Sequence, residues 1–180
     1  MKSNKIMKQI TYQSFLLISS FLLFSSVISY AQSSRKADKD TKKYRYEIEA
    51  VDVGAGGSYL IKVWSYSRNP DIAIEQAKKN AVHGIIFKGF IGIRGVPGQH
   101  PLVNSPNVEQ EKVEYFNAFF NDGGKYNKFV SLSSDGGIAA GDRLKVGKEY
   151  KIGVIVSVKT PELRKELESA GIIKGLNSGF

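Results

Sequence analysis

Apolar and polar residues alternate from residue 44 to residue 53. Tyr44, Tyr46, Ile48 and Ala50 fall on one side, with Arg45, Glu47 and Glu49 on the other. A period of two marks a half-buried strand. Gly54-Ala55-Gly56-Gly57 supplies a turn, and residues 58–66 (SYLIKVWSY) run back as a second strand, so the pair predicts a β-hairpin. The period changes after Asn69-Pro70-Asp71. Ile74, Ala77, Ala81 and Ile85 recur at helical spacing, with Asn69 placed to cap free N–H groups and Pro70 at the first helical position. The small residues Ala73, Ala77, Ala81 and Gly84 predict a helix lying close against a sheet or another helix. Glu75 and Lys79 form an i,i+4 pair on its wet side, and Gly89 provides its left-handed stop.

Residues 90–107 (FIGIRGVPGQHPLVNSPN) are rich in Gly and Pro and read as a short apolar strand followed by a long loop. A second helix is expected over Val108–Phe120, with Val113, Phe116 and Phe120 on one side and Asp122-Gly123-Gly124 ending it. Residues 126–133 (YNKFVSLS) read as a strand and Asp135-Gly136-Gly137 as a turn. Over residues 148–158, Tyr150, Ile152, Val154, Val156 and Val158 face one way, while Lys151, Gly153 and Ser157 face the other. Such a strand belongs in an antiparallel sheet with one wetter face. Thr160-Pro161 caps a last helix that runs to about Ala170 and closes at Gly171, and residues 175–180 are expected to fray. The order β-β-α-(β)-α-β-β-α is not a strict alternation. It predicts a single α+β domain over residues 44–174, an antiparallel sheet of about four to five strands with two to three helices packed on one face.

The N-terminus has a different pattern. Lys2, Lys5 and Lys8 precede an apolar run from Phe15 to Ile28, and Ser29-Tyr30-Ala31 follows before Gln32. A positive segment, an apolar segment and small residues at −3 and −1 predict a signal peptide over residues 1–31. The alternative, an uncleaved anchor, fits less well: the run holds Ser19, Ser20, Ser25 and Ser26 and falls short of the roughly 20 apolar residues a span needs. Cleavage of the 180-residue chain after Ala31 leaves 149 residues, enough for one domain with its own core. Residues 32–43, with Arg35, Lys36, Lys39, Lys42 and Lys43 against Asp38 and Asp40, read as a charged linker. No second apolar run has spanning length, so no membrane span is expected after cleavage. The expected location is the periplasm or the outer-membrane surface.

The formal net charge is +9, and three of those charges lie on Lys2, Lys5 and Lys8, which leaves six on the rest. A basic exported protein meets an acidic partner protein, anionic headgroups or acidic glycan, whereas nucleic acid is a poor candidate there. There is no cysteine, so packing alone must hold the fold.

Candidate chemistry is sparse. His83, on the predicted helix, and His100, before Pro101, read as surface or loop histidines. With no cysteine and no His-Glu-x-x-His spacing they predict no metal site, and no cofactor motif is present. No Gly-x-Ser-x-Gly marks a nucleophile. Gly89, Gly92 and Gly95 lack the Lys-Ser/Thr that completes a phosphate loop, and like Gly54 to Gly57 they read as turns. Glu109, Glu111 and Glu114, and Glu162 and Glu166, read as solvated helix faces. What remains is the loop over residues 90–107, stiffened by Pro97, Pro101 and Pro106, with Arg94 and His100 as binding candidates. Tyr59, Trp64 and Tyr66 would suit a sugar-binding face, although strand alternation favours them as core.

The hairpin, then NPDIAIEQAKKNAVHGIIFKG, then a later hairpin resembles small envelope α+β modules over roughly residues 44–90. These are the N-terminal domain of exported flagellar accessory proteins and related lipoprotein domains, which carry a helix with alanines every four residues after an opening strand. More loosely, the chain looks like exported proteins of Bacteroidetes type. The lipobox cysteine of the lipoproteins is missing here, and the resemblance carries over no functional residue. Together these features lead us to expect a non-enzymatic binding or assembly component of the cell envelope, in secretion, surface or transport machinery. The alternatives are a glycan- or peptidoglycan-binding module and a periplasmic hydrolase with a dispersed site.

Overall fold

The computed structural model describes residues 45–105, 107–133 and 138–175. The signal peptide, the charged linker, Tyr44, Pro106, the turn at Asp135-Gly136-Gly137 and the tail from residue 176 lie outside the described residues.

The sheet is open, antiparallel and five-stranded: β1 (Tyr46–Val53), β2 (Tyr59–Ser67), β3 (Val130–Leu132), β4 (Arg143–Val146) and β5 (Glu149–Val158). β2 lies between β1 and β5, and β3 and β4 share the far edge of β5 end to end. Register aligns the inward side chains. Val63 sits between Ile48 and Val154, and Ile61 between Ala50 and Val156. Among the described residues, four helices complete the α+β fold: α1 (Pro70–Phe87), α2 (Val108–Glu111), α3 (Val113–Phe119) and α4 (Thr160–Ser169). Among the described residues, no helix is long and apolar enough to cross a membrane.

α1 forms where its caps dictate. The Asp71 N–H donates to Asn69 Oδ1 (2.9 Å), and Gly89, at φ +67°, donates its N–H to the Gly84 carbonyl (2.7 Å). The helix is buried on nearly every side, because the sheet covers one flank and the aromatic segment around Phe116, Phe120 and Tyr126 covers another. Leu163 and Leu167 of α4 close the same core.

This double cover corrects several sequence expectations. Lys79 is buried, not wet: its Nζ lies 5.4 Å from the centre of the Tyr126 ring, and burial pulls its pKa down to about 8 against the charge of Asp122. Glu75 pairs instead with Lys78, at 3.0 Å. His83 is a core residue and not a surface one. The Val108–Phe120 helix breaks at Lys112 (φ −115°, ψ 34°), and burial of Phe116, Phe119 and Phe120 sets the phase of α3 while Val113 stays outside. Lys125–Phe129 is a 3₁₀ turn, since Tyr126 and Phe129, three residues apart, both point inward; only Val130–Leu132 is strand. Thr160 does not cap α4. Lys159 holds the cap position, and the Thr160 hydroxyl faces the Val158 carbonyl at 3.5 Å.

Candidate functional site

Residues 89–99 form a finger in place of the expected strand and loop. Phe90 and Gln99 exchange backbone hydrogen bonds (2.9 and 3.0 Å), as do Ile93 and Val96 (3.0 and 2.9 Å). Arg94 and Gly95 make the turn between them, with Gly95 at φ +86°. The two arms touch through glycine. A Cβ on Gly92 would lie 2.5 Å from the Gly98 nitrogen, and one on Gly98 would lie 2.8 Å from the Gly92 nitrogen. The base is anchored at both ends. The Phe90 ring meets Tyr59 edge-on at 5.1 Å, and the N–H groups of Leu102 and Val103 satisfy the terminal carbonyls of α1 at Ile85 and Ile86 (3.2 and 3.1 Å). On this rigid excursion Ile91 is 89% exposed and Ile93 53%. Arg94 is exposed at the tip and His100 at the base, where its carbonyl accepts from Gln99 Nε2 (2.6 Å). The structure therefore puts Arg94 at the tip of the finger and His100 just past its base. Ile91 and Ile93, which the sequence reading did not name, are the large apolar side chains the finger leaves exposed; two isoleucines set among glycines were the available signal.

Trp64 and Tyr66 lie elsewhere, on the sheet face opposite α1. Trp64 covers Gly153, where a Cβ would lie 3.0 Å from the ring, and Lys62 and Lys151 flank it at 5.5 and 5.0 Å from its centre. Its Nε1–H donates to Glu49 Oε1 (2.9 Å), and the ring is left 9% exposed. Tyr66 donates to Glu47 (2.8 Å) and carries the Arg45 guanidinium 4.4 Å above its ring. Arg45 pairs in turn with Glu149, beside a groove of about 280 Å³. Lys151 donates to Glu47 (2.8 Å) and, with Tyr66, holds that carboxyl below its usual value. Tyr59 is on the other face, under Phe90. The three aromatics thus share no platform, and the indole has no open face for a sugar ring.

A hydrogen-bonded line, buried at Tyr46 and His83 and partly exposed at Glu109, runs from β1 through α1 to α2. His83 Nε2 lies 3.2 Å from Glu109 Oε1, and Nδ1 lies 2.6 Å from the Tyr46 hydroxyl. A carboxylate only accepts, so Nε2 carries the proton and Nδ1 accepts from Tyr46. Phe87 and Phe120 box the imidazole at 4.7 and 5.8 Å, and Lys88 Nζ sits 3.9 Å from the Tyr46 ring centre. Nearby, Asn80 Nδ2 donates to Ser65 Oγ (2.9 Å), extending the polar seam between α1 and β2. Tyr46, Asn80 and Glu109 were missed as members of this group because the contacts join distant segments.

Burial lowers the His83 pKa, with Lys88 acting in the same direction and the Glu109 hydrogen bond and charge opposing. Below the ordinary value of 6.5 the unfolded chain takes up the proton first, so stability is full above that value and falls as pH drops through it. The expected result is a thermal midpoint that falls between about pH 7 and about pH 5, and falls less steeply in His83→Phe. Equal slopes in the two proteins would contradict the assignment.

Among the described residues, no group of three or more His, Cys, Asp or Glu is placed to hold a metal ion. No protein-family model matches the chain, and neither a curated protein nor a solved structure does.

Proposed function

We propose that this chain is an exported, non-enzymatic binding or assembly component of the cell envelope that engages its partner through the 89–99 finger. The observation that carries the reading is Ile91, 89% exposed on a backbone locked by paired bonds and facing glycines. An isoleucine left in water forgoes about 1.5–3 kcal/mol of burial. Holding one rigidly outward, with a second beside it, suits a contact that completes on binding, and a pre-ordered loop loses little entropy there. The basic n-region, the apolar run and Ala31 support export.

The glycan alternative lacks a platform, as the geometry at Trp64 argues. The hydrolase alternative would draw on Tyr46–His83–Glu109, whose order of hydroxyl, imidazole and carboxylate follows general-base logic. The Tyr46 side chain is buried in the core cluster, however, so its hydroxyl is shielded from a substrate.

A photo-reactive residue in place of Ile91, introduced in exporting cells, should give a discrete adduct with an envelope component. The same residue in place of Lys145, on the exposed edge strand β4, should not. Absence of an adduct at 91, or the same products from both positions, would overturn the reading.

A further inference from the structure

The finger's chemistry narrows the kind of partner it fits. Its large exposed apolar side chains are the two isoleucines, and over residues 89–99 only Arg94 and Gln99 carry polar side chains, too few for a hydrogen-bonded rim. A standard protein interface needs about 800 Å² on each side, with aromatic or arginine anchors inside a polar border. Interfacial binding to a bilayer scales with the apolar area inserted, adds the attraction of cations to anionic headgroups, and needs no shaped partner surface. A third apolar side chain stands at the base: Val53, 43% exposed, pairs with Tyr59, on which Phe90 rests.

Charge points the same way. The sequence holds no acidic residue between Glu75 and Glu109. Of the cations in that stretch, Lys78 pairs with Glu75, Lys79 is buried and Lys88 packs on Tyr46, while Arg94 stands at the exposed tip between Ile93 and Gly95. Among the described residues a second exposed apolar pair, Leu144 and Val146, alternates with Arg143 and Lys145 on β4, a pattern that protects an edge strand.

We infer that the finger seats on an anionic phospholipid surface, Ile91 and Ile93 entering the acyl boundary and Arg94 meeting lipid phosphate. This inference rests on the reading of the finger as the binding element and names its partner.

The test is vesicle flotation with protein purified from the envelope of exporting cells, in the form export leaves it. Vesicles of phosphatidylglycerol mixed with phosphatidylcholine are compared with phosphatidylcholine alone. The wild type should float with the anionic vesicles and only weakly with the neutral ones. Ile91→Asp and Ile93→Asp should each lower the partition about tenfold, and Arg94→Gln about fivefold, on anionic vesicles only. Leu144→Ser with Val146→Ser should leave it unchanged. All these positions are exposed, so unfolding midpoints should match wild type. Flotation that the finger variants do not reduce would overturn the inference, since another part of the chain would then be the contact. No flotation alongside a protein adduct from position 91 would overturn the lipid surface and keep the binding finger. Neither flotation nor adduct would remove both.

Discussion

Alanine in place of Gly89 should destabilise the fold by about 3 kcal/mol and release the finger from α1. Two costs combine at this position. The backbone stands at φ +67°, where a Cβ is strained, and that Cβ would run into the Gln99 carbonyl oxygen and lie 3.0 Å from Pro101. The oxygen has little room to retreat, because it accepts the Phe90 N–H at 2.9 Å and Gln99 returns a bond to the Phe90 carbonyl. Gly171 is the useful comparison. It has φ +65° with nothing near its Cβ position, so Gly171→Ala carries the backbone cost alone, about 1 kcal/mol. Denaturant unfolding of the two variants separates the terms, and equal losses would show that the close approach of Gln99 contributes nothing.

The second large effect is at His83. Truncation to alanine removes a buried ring held among Phe87, Phe120 and Tyr46 and breaks the hydrogen bond between the imidazole and the Tyr46 hydroxyl. A cavity of aromatic size and the loss of a buried hydrogen bond together should cost about 4 kcal/mol. Tyr46→Phe removes only the hydroxyl and should cost about 1 kcal/mol. If His83→Ala unfolded at the wild-type denaturant midpoint, the imidazole would not be the centre of this seam.

The sequence made some of this legible because the signals are local. Alternation over residues 44–53 and 148–158 gave β1 and β5, and Asn69, Pro70 and Gly89 bounded α1 closely. β4 was not legible, since four residues with every side chain exposed carry no burial period. Lys79 and His83 were misread for one shared reason. A helix covered on one side has a wet face, but α1 is covered by the sheet and by the Phe116–Tyr126 segment, so polar residues on its second flank are buried too. Gln76, Asn80 and His83 recur at i, i+4 and i+7, a polar stripe inside a buried helix that was the available hint. The pressed contact of Gly92 on Gly98 was hidden in a different way: each glycine fits a turn by itself, and only the closed finger shows why neither tolerates a Cβ.

The reading of the finger as the contact is tested most directly by fractionating cells that export either wild type or the Ile91→Asp, Ile93→Asp variant. Both positions are exposed, so the variant should fold and be exported as before. The account predicts that wild type sediments with the envelope while the variant moves to the soluble fraction. A variant that stays with the envelope as wild type does would place the contact elsewhere on the molecule.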